Sequence, residues 1–170
     1  MCGGGLRRGE RIGKRASLSE CTRPSSTGNG PINVLVFAFC AFVENRGGNV
    51  QFAPLRLRIR PGKFRKPDLL LLLSATDPRR QNRFWHGADL ALEVVSEKKP
   101  ERDLVQKRYD YAEGRVPEYW IVNPQTETIV ILRLSGDAYE EVGNFRRGEA
   151  ARSVLLAGFS VDVGAVPGQG

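Results

Sequence analysis

The sequence predicts an α/β fold built on strands that are covered on both faces. Two short apolar runs carry that expectation, residues 69–73 behind Pro67-Asp68 and residues 89–95 behind Gly87. Both have the length of strands and are apolar at successive positions, as strands buried on both sides are. Helix-like and strand-like segments also alternate along the chain. Its 170 residues, 41% hydrophobic and 26% charged, suit one domain large enough for a proper core.

Residues 1–30 are rich in Gly, Ser, Thr and Arg without a sustained apolar period. They read as a flexible or divergent lead-in, and residues 31–166 as the folded domain. A helix is expected over residues 32–45, stopped by Gly47-Gly48. Strict alternation over residues 55–60 (Leu-Arg-Leu-Arg-Ile-Arg) marks a half-buried strand with a basic outer face. Pro61-Gly62 is a turn, and residues 68–73 form the first fully buried strand. A basic polar loop, residues 74–87, leads into the next strand, residues 89–95. Pro100 suits the first turn of a helix that runs to Glu113 and ends at Gly114. A strand over residues 118–122 is closed by Asn123-Pro124, and residues 128–134 and 138–142 read as a hairpin around Ser135-Gly136-Asp137. Residues 153–156 and 159–163 are the last expected strands, and no internal repeat is visible.

The net charge of +7 points to an anionic partner, but it is unevenly spread. Residues 1–26 hold six basic side chains against Glu10 and Glu20, so four of the seven charges lie there. Elsewhere basics cluster in Arg56, Arg58, Arg60, Lys63, Arg65 and Lys66, and in Arg79, Arg80 and Arg83. Cys2, Cys21 and Cys40 show no metal-ligand spacing, and Cys40 reads as a buried core residue. A reducing cytoplasm is the expected location. The apolar stretch 32–43 is too short to span a bilayer, and no small-x-small cleavage site follows it.

Chemistry is concentrated in three residues. Along residues 89–95, Leu90, Leu92 and Val94 point one way and Ala91, Glu93 and Val95 the other, which places Glu93 among apolar neighbours. An unpaired carboxylate there costs several kcal/mol (roughly) or stays protonated, so it needs a cation or donors. Asp68 opens the neighbouring apolar run, and antiparallel pairing of the two strands would set Asp68 and Glu93 side by side. Either the two acids hold a divalent metal, or Glu93 pairs with a buried Lys or Arg and Asp68 merely begins a strand. In the metal case, both carboxylates and the backbone carbonyl of Val94 are hard oxygen ligands suited to Mg²⁺, with Mn²⁺ as a substitute. Lys107 shares a helical face with Asp103 and Tyr111 at i, i+4 spacing. It either reaches the acids to offset charge on a phosphate or pairs with Asp103 at the surface.

In serial order, Pro67-Asp68, Leu92-Glu93-Val94-Val95-Ser96, Asp103-x-x-x-Lys107-Arg-Tyr-Asp-Tyr111-Ala-Glu-Gly and Val116-Pro-Glu-Tyr-Trp-Ile-Val-Asn-Pro124 resemble the Uma (Uma-two) group. That group is assigned to restriction-type endonucleases of the PD-(D/E)XK nuclease superfamily. The resemblance spans residues 52–163. It implies a restriction-endonuclease-like fold, a mixed, largely antiparallel central sheet flanked by helices, and metal-dependent hydrolysis of DNA phosphodiesters. It makes Asp68 and Glu93 the motif acids and puts Val95 at the motif-lysine position, with Lys107 supplying the lysine from the following helix. DNA is the implied partner, Lys66, Arg79, Arg80 and Arg83 are its candidate contacts, and a homodimer would bring two sites to a duplex. The N-terminal stretch departs from the group, since Glu10-Arg-Ile-Gly13 lacks an Asp-Gly pair and Gly28 replaces a histidine. The competing expectation is therefore a nuclease-fold protein that binds or scaffolds nucleic acid without turnover. A metal-free binding module would want aromatics among the basics, and residues 56–66 offer only Phe64. His86 reads as an incidental loop residue.

Overall fold

A computed structural model describes residues 30–95 and 101–166, the side chains of Pro31 and residues 101–103 excepted. Expectations for residues 1–29, including Cys2 and Cys21, and for Ser96 and Pro100 lie outside the described residues, as does any pairing of Asp103 with Lys107.

Helix α1 (Pro31–Glu44) starts with proline in its first turn, where the missing N–H has no intrahelical partner to lose. Leu35, Val36, Phe39, Cys40 and Val43 fall on one face and are buried. The helix stops at a turn in which Gly47 has φ +82°, a conformation that costs glycine little. At Gly48 a Cβ would press on Val43 and lie 2.8 Å from the Leu72 carbonyl oxygen, so the close return of the chain requires glycine.

Strands β1 (Asn49–Phe52), β4 (Leu69–Leu72), β5 (Leu90–Val94), β6 (Glu118–Asn123), β7 (Thr128–Ser135) and β8 (Ala138–Arg146) form one sheet in the order β1-β4-β5-β6-β7-β8. Only β5 and β6 run parallel. Parallel neighbours need a crossover, and helix α2 (Glu101–Glu113) lies between them in the chain. A ribbon of β2 (Leu57–Arg60) and β3 (Lys63–Arg65) and a pair of β9 (Ala150–Arg152) and β10 (Ser160–Asp162) complete the described strands.

Strand alternation sorts the sheet into two cores. Leu69, Leu71, Leu90, Leu92, Trp120 and Val122 pack with α1. Leu70, Leu72, Ala91, Val95, Tyr119 and Ile121 pack on the other face with Tyr111 of α2 and Leu57 and Ile59 of the ribbon. All four leucines of β4 are buried, each worth roughly 1.5–3 kcal/mol on removal from water. The fold is thus the mixed, largely antiparallel sheet with helices that the sequence predicts.

Two strand expectations change. The segment 153–156 is a turn, because Glu118 takes its donors: Ser153 Oγ lies 2.7 Å from Oε1, and the Val154 and Leu155 N–H groups lie 2.8 and 2.7 Å from Oε2. The strand sits instead at Ala150–Arg152. The alternating segment 55–60 is ordered as a strand only from Leu57, and β1 is an edge strand that the sequence reading lacks.

Candidate active site

The pairing of β4 with β5 sets Leu69 opposite Leu92, so the residue before Leu69 and the residue after Leu92 lie at the same end of the two strands. Those residues are Asp68 and Glu93. The Asp68 N–H donates to the Leu92 carbonyl (3.1 Å), and Asp68 Oδ2 accepts the Val94 N–H (2.7 Å), which ties this carboxylate to the end of β5. Asp68 is half-buried and lines a cavity with Ile32, Asn33 and Val36 of α1 and with Phe52 and Ala53, and its charge is felt at Glu93.

Glu93 is only 1% exposed. Tyr111 Oη donates to its Oε1 at 2.6 Å, and Lys107 Nζ stands 3.0 Å from its Oε2. One turn of α2 separates Lys107 from Tyr111, so a single helix face supplies both partners. Burial pushes the Glu93 carboxyl above its ordinary range; the Tyr111 hydrogen bond and the Lys107 charge oppose that shift, and the charge of Asp68 adds to it. Burial also raises the Tyr111 phenol well above 10, so it stays a hydrogen-bond donor across the working pH range.

Asp68 and Glu93 together carry one negative charge more than Lys107 offsets when both acids are ionised. That excess and the hard oxygen donors fit a divalent cation. Among the described residues no group of three or more His, Cys, Asp or Glu side chains is arranged for a metal, so further ligands would come from backbone, water or substrate.

Residues 22–164 match the model of a protein family, Uma2, described as "Putative restriction endonuclease". The chain belongs to the Uma2 family. Asp68, Glu93, Lys107 and Tyr111 all fall inside the matched span, which begins within the stretch read as a lead-in. The Uma2 chain is also similar to a solved structure, "a putative nuclease belonging to DUF820 from Anabaena variabilis ATCC 29413". The TM-score is 0.66 at 15% identity, over 85% of this chain and 83% of that one, a likeness of fold. No match was found among curated proteins.

The basic candidates of this Uma2 chain are placed differently from one another. Lys66 is exposed two residues before Asp68. Arg79 is clamped between two acids, 2.7 Å from Asp77 Oδ2 and 2.8 Å from Asp89 Oδ1. Asp89 also caps the Leu73 N–H (2.8 Å), and it stands four residues before Glu93, about 13 Å along the strand. The structure therefore gives Arg79 a loop-ordering contact at the end of β4 and β5 away from Asp68 and Glu93. Arg80 is half-buried and Arg83 exposed in the same loop.

Three of the six basic side chains over residues 56–66 are ion-paired. Arg60 pairs with Glu113 at 2.8 Å, Lys63 with Asp110 and Glu113 at 2.6 Å each, and Arg65 with Asp110. Asp110 is fully buried, and hydrogen bonds from Lys63, Arg65 and Gln106 outweigh its burial and hold its carboxyl below the usual range. These pairs clamp the ribbon to α2 and so fix the helix that carries Lys107. Sequence reasoning missed Asp110 and the bond from Tyr111 to Glu93. The i, i+4 and i+8 spacing of Asp103, Lys107 and Tyr111 was the available signal for Tyr111.

Proposed function

We propose that this chain is a metal-dependent endonuclease that hydrolyses DNA phosphodiester bonds, with residues 31–166 as the nuclease domain. The observation that carries the reading is the buried Glu93, held by Lys107 and Tyr111 of α2 beside Asp68 of the neighbouring strand. Membership of the Uma2 family supports a nuclease, and divalent-metal use is common to restriction-endonuclease-like proteins.

Asp68, Glu93 and the Val94 carbonyl would hold the cation, Mg²⁺ or Mn²⁺. When bound, it supplies Lewis-acid polarisation of a phosphoryl oxygen and acidifies a water. The remaining work belongs to the chain. Tyr111 fixes one Glu93 oxygen and so holds the carboxylate in one orientation. The Val94 N–H does the same for Asp68. Lys107, largely buried beside Glu93, would supply an ammonium that offsets charge developing on a phosphate in the transition state. Val95, at the motif-lysine position, is buried in the core and carries no charge, and Lys107 would take the lysine's part.

One observation favours a second reading, a nuclease-fold protein that binds nucleic acid without turnover. Lys107 and Tyr111 already engage both oxygens of Glu93, as in a structural ion pair. Titration calorimetry with Mn²⁺ separates the two. The nuclease reading expects one site in the natural protein and at least a tenfold weaker one in Glu93→Gln. Absence of binding in the natural protein supports the second reading.

A further inference from the structure

Residues far apart in sequence build a second surface on and beside the β2–β3 ribbon. Trp85 bridges to Leu57 and is buried, so its neighbours Phe84 and His86 point outward beside the β2–β3 ribbon. On the ribbon Arg58 pairs with Phe64, which puts both side chains on one face. The rings then meet: Phe64 and Phe84 are edge-to-face with centroids 5.0 Å apart, and Phe84 and His86 are stacked at 5.1 Å with planes 9° apart. Arg56 lies over Phe64 at 5.1 Å and Arg58 over Phe84 at 6.0 Å. His86 is exposed and both phenylalanines are half-buried.

The geometry points to a binding site for unpaired bases of a DNA strand on the face made by Arg56, Arg58, Phe64, Phe84 and His86. A duplex hides the faces of its bases, whereas a single strand offers each face to an aromatic or guanidinium plane. Charge agrees with that occupant. Among the described residues Arg56, Arg58, Lys66 and Arg83 form no ion pair, unlike Arg60, Lys63, Arg65 and Arg79 around them, so phosphates meet uncompensated cations. Three residues lie between Phe64 and Asp68, at most about 14 Å of chain, so a strand stacked here comes within reach of Asp68. Sequence reading found one aromatic among the basics; folding brings in two more from a loop twenty residues away. The choice of DNA over RNA rests on the nuclease reading, but the stacking surface does not require hydrolysis.

The test is fluorescence anisotropy of the full chain in excess chelator, which keeps binding apart from cleavage. The probes are labelled oligodeoxythymidylate, an abasic strand of the same length, a duplex and oligouridylate. Oligodeoxythymidylate is expected to bind more tightly than the abasic strand and the duplex. His86→Ala and Phe84→Leu should each weaken it at least about fivefold and leave the abasic strand unchanged. His86 is on the surface, so its variant reads binding even if Phe84→Leu unfolds. Equal affinity for the thymidylate and abasic strands, or no effect of His86→Ala, overturns the proposal, and tighter binding of oligouridylate overturns the assignment to DNA. A protein that cuts plasmid yet shows no such loss keeps the nuclease reading without this surface. One that stacks bases yet never cuts keeps the surface and loses the nuclease reading.

Discussion

Replacing Lys107 with methionine keeps the bulk of the side chain and removes the ammonium 3.0 Å from a carboxylate that is 1% exposed. Both partners are almost fully buried, so solvent screens little of the interaction, and breaking such a pair costs about 3–5 kcal/mol. The Tyr111 hydrogen bond remains, so about 3 kcal/mol is the expected loss at pH 8 without metal. Glu93 can avoid part of that cost by taking a proton. Its folded pKa is already raised above the ordinary 4.5, and losing Lys107 raises it further. The folded state then binds more protons than the unfolded state above pH 4.5, so stability falls as pH rises through that window, by at most about 1.4 kcal/mol per pH unit. Urea denaturation followed by circular dichroism at pH 5 and pH 8 reads this directly. Lys107→Met should lie close to the natural protein at pH 5 and well below it at pH 8, and the double variant with Glu93→Gln should recover most of the difference. A loss under about 1 kcal/mol, or one equal at both pH values, would refute the buried-pair argument.

Tyr111→Phe removes one donor to a buried carboxylate and should cost about 1.5–3 kcal/mol in the same assay, with weaker Mn²⁺ binding as its second sign. Glu118 is 1% exposed and accepts from Trp120, Ser153, Val154 and Leu155, so Glu118→Gln, which accepts through one oxygen only, should cost about 2 kcal/mol and speed amide exchange at Val154 and Leu155. The carboxyl of Asp110 is held below 3.8, so its ion pairs stabilise the fold fully above that pH and are lost as pH falls through its lower folded value. Asp110→Asn should therefore reduce stability at pH 7 and flatten the acid limb of the urea midpoint against pH.

The acids stood out because Glu93 interrupts an apolar strand, where a charge needs a reason, and Asp68 opens another. Register did the rest: antiparallel pairing, which the sequence left open, brings Asp68 and Glu93 to the same end of the two strands. Lys107 and Tyr111 were legible as one helix face, although only packing shows that the face turns inward. Features that depend on distant partners were not legible. Glu118 reaches a turn 35 residues later, and Asp110 takes its cations from a ribbon 45 residues earlier. The pair of acids on Arg79 was not legible either, since Asp89 reaches it from ten residues away. Strand β1 has four residues with two apolar side chains, too short for a period to show.

Cleavage of supercoiled plasmid by the purified full chain tests the central claim most directly. Nicked or linear product is expected with Mg²⁺ or Mn²⁺ and none with Ca²⁺ or excess chelator, since Ca²⁺ takes longer and looser oxygen bonds that align water and phosphate poorly. Asp68→Asn, Glu93→Gln and Lys107→Met should each abolish product while remaining folded at pH 6. Full cutting by Glu93→Gln, or no cutting of plasmid by natural protein shown to bind Mn²⁺, would contradict the account.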